Sequence, residues 1–348
     1  MTQGVVQKEP SSRERASLTQ PTKIMGRRQG AVSKATASVD KWGAAAVLVV
    51  LIVVFSILLP STFPTFQNVT TILSTQAILA ILAIGLLLPL ASGEFDLSIG
   101  YSLGFTAMLT AVLSGTAHLP TALTIPIVLV VGIAIGFVNG LAVVKRKINA
   151  FIATLGVGTI LSGLTLWVSN GNVVFNGIPK DLLAIGRTQI LGLPLTVFYM
   201  IIVVFVFWFI LEQTPFGRYI HSIGAGRETV RLAGLPTDRL RMSAFVISGG
   251  MAALAGVLQT ATVGSANPSA GPDFLLPAFA AAFLGATTIR PGRFNVWGTM
   301  LAVFLLAVGI AGLQQLGAPF WVSPVFNGGA LVVAVGLAAG RRSQAARD

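Results

Sequence analysis

The chain has 348 residues, of which 54% are hydrophobic and 10% charged, with a mean hydropathy of +0.83. Soluble domains carry about 25% charged residues, so this composition excludes a water-soluble globular protein and points to a polytopic membrane protein. The formal charge is +12 and there is no cysteine, which rules out disulfides, iron–sulfur ligation and thiol catalysis.

Residues 1–41 are polar and basic, with Lys8, Arg13, Arg15, Lys23, Arg27, Arg28, Lys34 and Lys41 among many Ser, Thr, Gln and Ala. Such a segment buries too little apolar area to offset ordering entropy and reads as a disordered basic tail. The first apolar run after it lacks a small-residue cleavage site followed by a soluble domain, so it reads as a retained span. A helix crosses the hydrocarbon core with about 20 apolar residues. On that criterion the stretches 42–60, 70–90, 99–116, 121–144, 149–169, 195–212, 243–261, 274–289, 295–314 and 324–340 are spans. The expected fold is all-α, with about ten transmembrane helices filling 42–340 and a short C-terminal tail at 341–348.

Lys and Arg set the orientation. With both termini in the cytoplasm, all of the 23 Lys and Arg residues except Lys180 and Arg187 fall on the inner side. The high charge is then a topological signature, and nucleic acid is not expected as a partner. Two connections exceed turn length: 170–194 outside and 213–242 inside. No G-x-x-x-x-G-K-[ST] phosphate loop occurs in the sequence, so the chain is expected neither to hydrolyse nucleotide nor to act as an enzyme.

Between the second and third spans lies "SGEFDLSIG", Ser92 to Gly100. Gly93 and Gly100 break the helices around Glu94 and Asp96, and no Lys or Arg stands beside the two acids. Asp96, ahead of Ser98, has two roles open to it. It can cap the start of the third span, which is worth about 0.5–2 kcal/mol, or its charge can line a path. Glu94 reads as the more exposed of the pair. Two carboxylates at i and i+2 without a third ligand make a poor metal site, so neither metal nor cofactor is expected on this chain. Uncharged polar residues within spans, Gln76, Asn139, Thr154, Ser162, Gln259, Gln314 and Gln315, are candidates to line a path for a neutral, hydroxyl-rich solute. The competing role for each is a hydrogen bond between helices.

In the inner loop, Gly226 ends one turn, Glu228 to Leu232 reads as a short helix, and Gly234-Leu235-Pro236 stops it. A short helix held flat by two spans is a handle for a soluble partner. Three motifs resemble one family. "GEFDLSIG", "NAFIATLGVGTILSGL" (Asn149 to Leu164) and "FGRYIHSIGAGRETVRLAGLPTDRLRMSAFVISGGMAALAG" (Phe216 to Gly256) are similar to segments of the ribose/xylose/arabinose-type permease subunits of bacterial ABC sugar importers. These belong to the branched-chain amino-acid/sugar permease superfamily. Departures are Glu94 for the commoner glycine, Asn149 for proline, and Gly226-Arg227 for an asparagine-containing pair.

The resemblance implies a multi-pass permease of the bacterial plasma (inner) membrane. It also implies three partners: a second permease subunit, a cytoplasmic ABC ATPase carrying ATP and magnesium, and an extracytoplasmic sugar-binding protein. The loop 213–242 would couple to the ATPase, with Phe216, Gly217 and Arg218 leading into it and Glu228, Arg231, Leu232 and Gly234 making or supporting the contact. Lys180 and Arg187 on the outer loop would face the binding protein. The rival reading is a proton-coupled secondary transporter of small polar solutes, because intramembrane acids mark proton relays.

Overall fold

The computed structural model describes the backbone over residues 26–345 and side chains over 42–336. The tails expected over 1–41 and 341–348 therefore lie outside the residues whose side chains are described. The chain divides into the units Met1–Asp40 and Lys41–Asp348, and apart from residues 26–40 of the first helix everything below lies in the second.

Every apolar stretch marked in the sequence holds a helix. The helices are α1 (Gly26–Leu58), α2 (Phe66–Ala91), α3 (Ile99–Ala111), α4 (Thr121–Gly140), α5 (Ala150–Ser169), α6 (Lys180–Arg187), α7 (Leu195–Trp208), α8 (Pro215–Ala225), α9 (Arg227–Leu232), α10 (Thr237–Val263), α11 (Leu275–Gly285), α12 (Val296–Gln315) and α13 (Val322–Ala345). Five-residue π-helical turns extend α3 to Thr116, α4 to Lys145 and α7 to Gln213. Among the described residues seven helices are long and apolar enough to cross a membrane, while the apolar parts Trp42–Leu58, Gly271–Gly285 and Val322–Gly336 are shorter. The protein is an all-α polytopic bundle. Its small addition is a hairpin of β1 (Gln189–Ile190) and β2 (Leu193–Pro194), paired antiparallel across Leu191-Gly192. Both turn residues have positive φ, as a two-residue hairpin turn requires.

Polar residues at the helix starts satisfy amide groups that the first turn leaves without partners. Asn149 accepts from Phe151 N at 2.9 Å, Asn295 from Gly298 N at 2.7 Å, and Thr65 from Asn68 N at 3.2 Å. Helix α2 forms the centre. Its residues from Ala77 to Ala91 are buried on every side, enclosed by α7, α10, α11 and α12, as a helix apolar all round must be. Helices α4 and α10 pack backbone to backbone. A Cβ on Gly136 would strike the Phe245 carbonyl, and one on Gly249 the Gly132 carbonyl. Small residues at a helix interface allow this approach.

Candidate functional site: a broken helix tied to the inter-span loop

Residues 92–98 leave the helical path, and three consecutive side chains there anchor to three different places. Gly93 opens the turn at φ +83°, in the left-handed region. Glu94 forms an ion pair with Arg241 near the start of α10, with an Nε to Oε1 distance of 2.9 Å and a further contact from Nη2. The Arg241 side chain is 3% exposed and that of Glu94 16%. Glu94 is the more exposed of the two acids, as expected, and a cation reaches it from 147 positions away. Losing one partner of a buried pair costs about 3–5 kcal/mol.

Asp96 is fully buried and has no cation. Its Oδ1 accepts from Ser98 N at 3.1 Å and Ser98 Oγ at 2.6 Å, and its Oδ2 from Ser248 Oγ at 2.8 Å. It therefore organises the start of α3 through Ser98, which holds the N-cap position, and also ties the break to α10. Asn139 donates to Ser98 Oγ at 2.6 Å, and Thr154 Oγ1 accepts from Leu97 N at 3.0 Å. Both were candidates for a path, and here they form hydrogen bonds between helices that brace the break. Between these neighbours Phe95 stacks on Phe279 and Phe283 of α11, with ring centroids 6.3 Å apart in each case. Gly100 faces the turn at Gly271, where a Cβ would come 2.9 Å from the Gly271 carbonyl.

The loop 213–242 holds two helices. Phe216, Gly217 and Arg218 lie inside α8, where sequence reading placed only a lead-in. Thr214 caps it by accepting from Gly217 N at 3.4 Å. Gly224 of α8 lies against Ala91 and Gly93, where a Cβ would collide with the Ala91 carbonyl. Helix α9 spans Arg227–Leu232, close to the expected limits, and Gly234 leaves it at φ +82°. On its outer surface Glu228 and Arg231 pair at 2.6 Å, and Leu232 is 78% exposed. The Arg231 hydrogen bond holds the Glu228 carboxyl below its ordinary pKa, so the pair stays charged at neutral pH. His221 on α8 is pushed down to about 4 by burial and by Arg293 and Arg290.

Two cavities lie at opposite ends of α2. One, of about 530 Å³, is lined by polar groups including Gln76, Gln314 and Gln315, with Asn68, Asp273 and Asn327 added by the fold. The other, of about 820 Å³, is lined by Glu94, Phe95, His221 and Arg293 among others. The buried stretch of α2 between them amounts to about 20 Å of helix at 1.5 Å per residue. Ser162 and Gln259 are half-buried and line neither cavity. Arg187 is exposed at the end of α6. Its Nε and Nη2 donate to the Thr262 and Val263 carbonyls at 2.9 and 2.6 Å, closing the end of α10. Lys180 remains at the exposed start of α6.

Sequence reading missed Arg241, Ser248 and the phenylalanines of α11. For Arg241 a signal existed: an acid in an apolar segment without a local cation needs one from elsewhere.

A bundle of long apolar helices, with a cavity at each end of a central buried helix and a helix break fastened to a loop between spans, is the architecture of a multi-pass membrane protein. The chain belongs to the family described as branched-chain amino acid transport system / permease component, whose model matches residues 68–335. It is 35% identical over 262 residues to the ribose import permease protein of Haemophilus influenzae, covering 74% of this chain and 80% of that protein. Similarity to the Escherichia coli K12 ribose import permease protein is 33% over 293 residues, covering 83% and 90%. The D-allose transport system permease protein of the same strain is 30% identical over 298 residues, covering 86% and 91%. No solved structure matches. The chain is thus a permease component, placed in the bacterial inner membrane by its family and its apolar helices.

Proposed function

We propose that this permease forms the translocation path of an ATP-driven importer for a neutral sugar of the monosaccharide type. Relatives named as ribose and D-allose permeases, aligned over most of both chains, carry this reading. The carboxamide-rich cavity beside Gln76, Gln314 and Gln315 supports it, because uncharged donors and acceptors suit a hydroxyl-rich solute.

In this reading the chain crosses the membrane ten times in all, with both termini cytoplasmic and the three shorter helices spanning with the rest. The carboxamide cavity then faces outward, and the cavity at Glu94 and His221 inward. Helix α9 is the coupling element: Leu232, Glu228 and Arg231 present a small apolar and charged face to a cytoplasmic ATPase. ATP and magnesium sit on that partner. A second permease subunit completes the pore, and a binding protein delivers the sugar near Lys180. The proton-coupled alternative is weaker, since Glu94 is held by Arg241 and Asp96 by three hydrogen bonds.

Cells depleted of ATP but holding a proton gradient decide the matter. Uptake of D-ribose should cease in them, and should survive a protonophore while ATP is kept. Uptake that follows the proton gradient instead would overturn the reading.

A further inference from the structure

The second cavity ends at a cluster of aromatic rings, with Phe95 from the helix break, Phe279 and Phe283 from α11, and Phe294 from the turn before α12. Phe95 lies nearly parallel to Phe279, at an interplanar angle of 11°, and to Phe283 at 23°, while Phe283 meets Phe294 edge to face at 5.4 Å. Phe95, Phe283 and Phe294 line the cavity, and Phe279 is buried behind them. Phe95 is 42% exposed, so the rings present an apolar wall to the cavity, and an apolar constriction closes a path to polar solutes by dewetting. The ring that completes the cluster is carried by the residue next to Glu94, in a segment off the helical path where Thr154 Oγ1 donates to the Phe95 carbonyl at 3.3 Å.

On the Glu94 side it is held from the loop. Arg227 on α9 pairs with Asp238 at 3.3 Å, Asp238 lies 3.7 Å from Arg241, and Arg241 is bound to Glu94. A run of alternating charges thus leads from the short surface helix to the backbone beside Phe95. Helix α8 reaches the same place by contact, with Gly224 against Ala91 and Gly93. Asp96, on the far side of Phe95, is fixed to Ser98 and Ser248, so it gives Phe95 a firm pivot. Only the Glu94 side is connected to α9 through the charge run.

We propose that Phe95, Phe279, Phe283 and Phe294 form a gate at this end of the path, and that the Glu94–Arg241 ion pair is the latch through which the inter-span loop holds it shut. Movement of α9 draws Arg241 and Glu94 with it and lifts Phe95 off the α11 rings. The proposal rests on the importer reading for the force that moves α9. The gate itself does not depend on the source of that force.

The test uses the permease with its ATPase and its sugar-binding protein in vesicles loaded with radiolabelled D-ribose, scoring both leak without ATP and ATP-driven uptake. Glu94→Gln and Phe95→Ala should each raise the leak about tenfold, a gate equilibrium moved by about 1.4 kcal/mol. Inverting the whole run, Glu94→Arg with Arg241→Glu, Asp238→Arg and Arg227→Glu, is an exchange that keeps every neighbour opposite in charge, and it should return the leak to within about threefold of the unaltered protein, as coupled neighbours do. This exchange also decides the matter if Glu94→Gln fails to fold. A Glu94→Gln protein as tight as the parent, or an exchange variant that leaks like Glu94→Gln, overturns the latch. Tight Phe95→Ala vesicles overturn the gate. If the unaltered complex shows no ATP-driven uptake while the variants still leak, the importer reading has failed and the gate stands. Normal uptake in the parent with tight variants is the reverse result.

Discussion

Asp96 of the helix break and Ser248 in the middle of α10 are joined by a 2.8 Å hydrogen bond, although 152 positions separate them. The same carboxylate organises Ser98 at the start of α3. One buried acid therefore fixes the relation of two helices that hydropathy shows only as independent apolar runs.

Changing Asp96 to Asn keeps an oxygen acceptor for Ser98 and leaves an amide that Ser248 Oγ can meet as an acceptor. Changing it to Ala removes every bond, at roughly 1–3 kcal/mol for the buried groups left without partners. Asp96→Ala should therefore lower the fraction recovered as a monodisperse peak after extraction well below that of Asp96→Asn. Equal recovery of the two, with transport lost in both, would show that the charge acts in the path.

The α4–α10 contact sets up a paired comparison. A Cβ on Gly136 would strike the Phe245 carbonyl, whereas nothing lies within 4 Å of one on Gly156 of α5. Gly136→Ala should destabilise the protein by about 1–3 kcal/mol through overpacking. Gly156→Ala should stay within about 0.5 kcal/mol of the parent. Thermal midpoints in detergent measure both.

Topology is open to chemical labelling because the chain has no cysteine. Single cysteines replacing Arg146, Arg227 and Arg290 should resist an impermeant thiol reagent added outside intact cells, and one replacing Lys180 should react. External labelling at Arg227 would contradict the proposed orientation.

Leu232 is exposed on α9, so Leu232→Asp should change folding stability by no more than about 0.5 kcal/mol. If an ATPase covers this face, the variant should insert normally yet lose most uptake, and ATP hydrolysis should cease to respond to loaded binding protein. Full coupling in Leu232→Asp would remove α9 from the contact.

His221 makes stability depend on pH. Its pKa in the folded protein is about 4 against 6.5 for an ordinary histidine, with burial the first cause and Arg293 and Arg290 adding to it. Between those values the unfolded chain binds a proton that the native state refuses, so stability is full above about pH 6.5 and falls as the pH drops towards 4. The loss should reach at most about 2 kcal/mol by pH 5. His221→Gln should flatten this part of the pH profile of the thermal midpoint; an unchanged slope would assign it to other groups.

Much of the architecture was legible in the sequence because its causes are local. Runs of about 20 apolar residues can only be helices in lipid, and the Gly226 and Gly234-Leu235-Pro236 signals that bound α9 act on their own backbone. The family could be read for a similar reason, from motifs contained within single segments. Which face of each helix is buried could not be read. Helices α2 and α5 are both strongly apolar, yet 67% of the α2 apolar stretch is buried against 28% for α5. In a membrane protein the lipid-facing and protein-facing surfaces are equally apolar, so periodicity does not separate them. The site shows the same division. The sequence singled out Glu94 and Asp96 by their chemistry, but only the tertiary structure supplied Arg241, Ser248 and the α11 rings. Their partners stand 147 and 152 positions away, and a charge or hydroxyl in one helix carries no local mark of the helix it will meet.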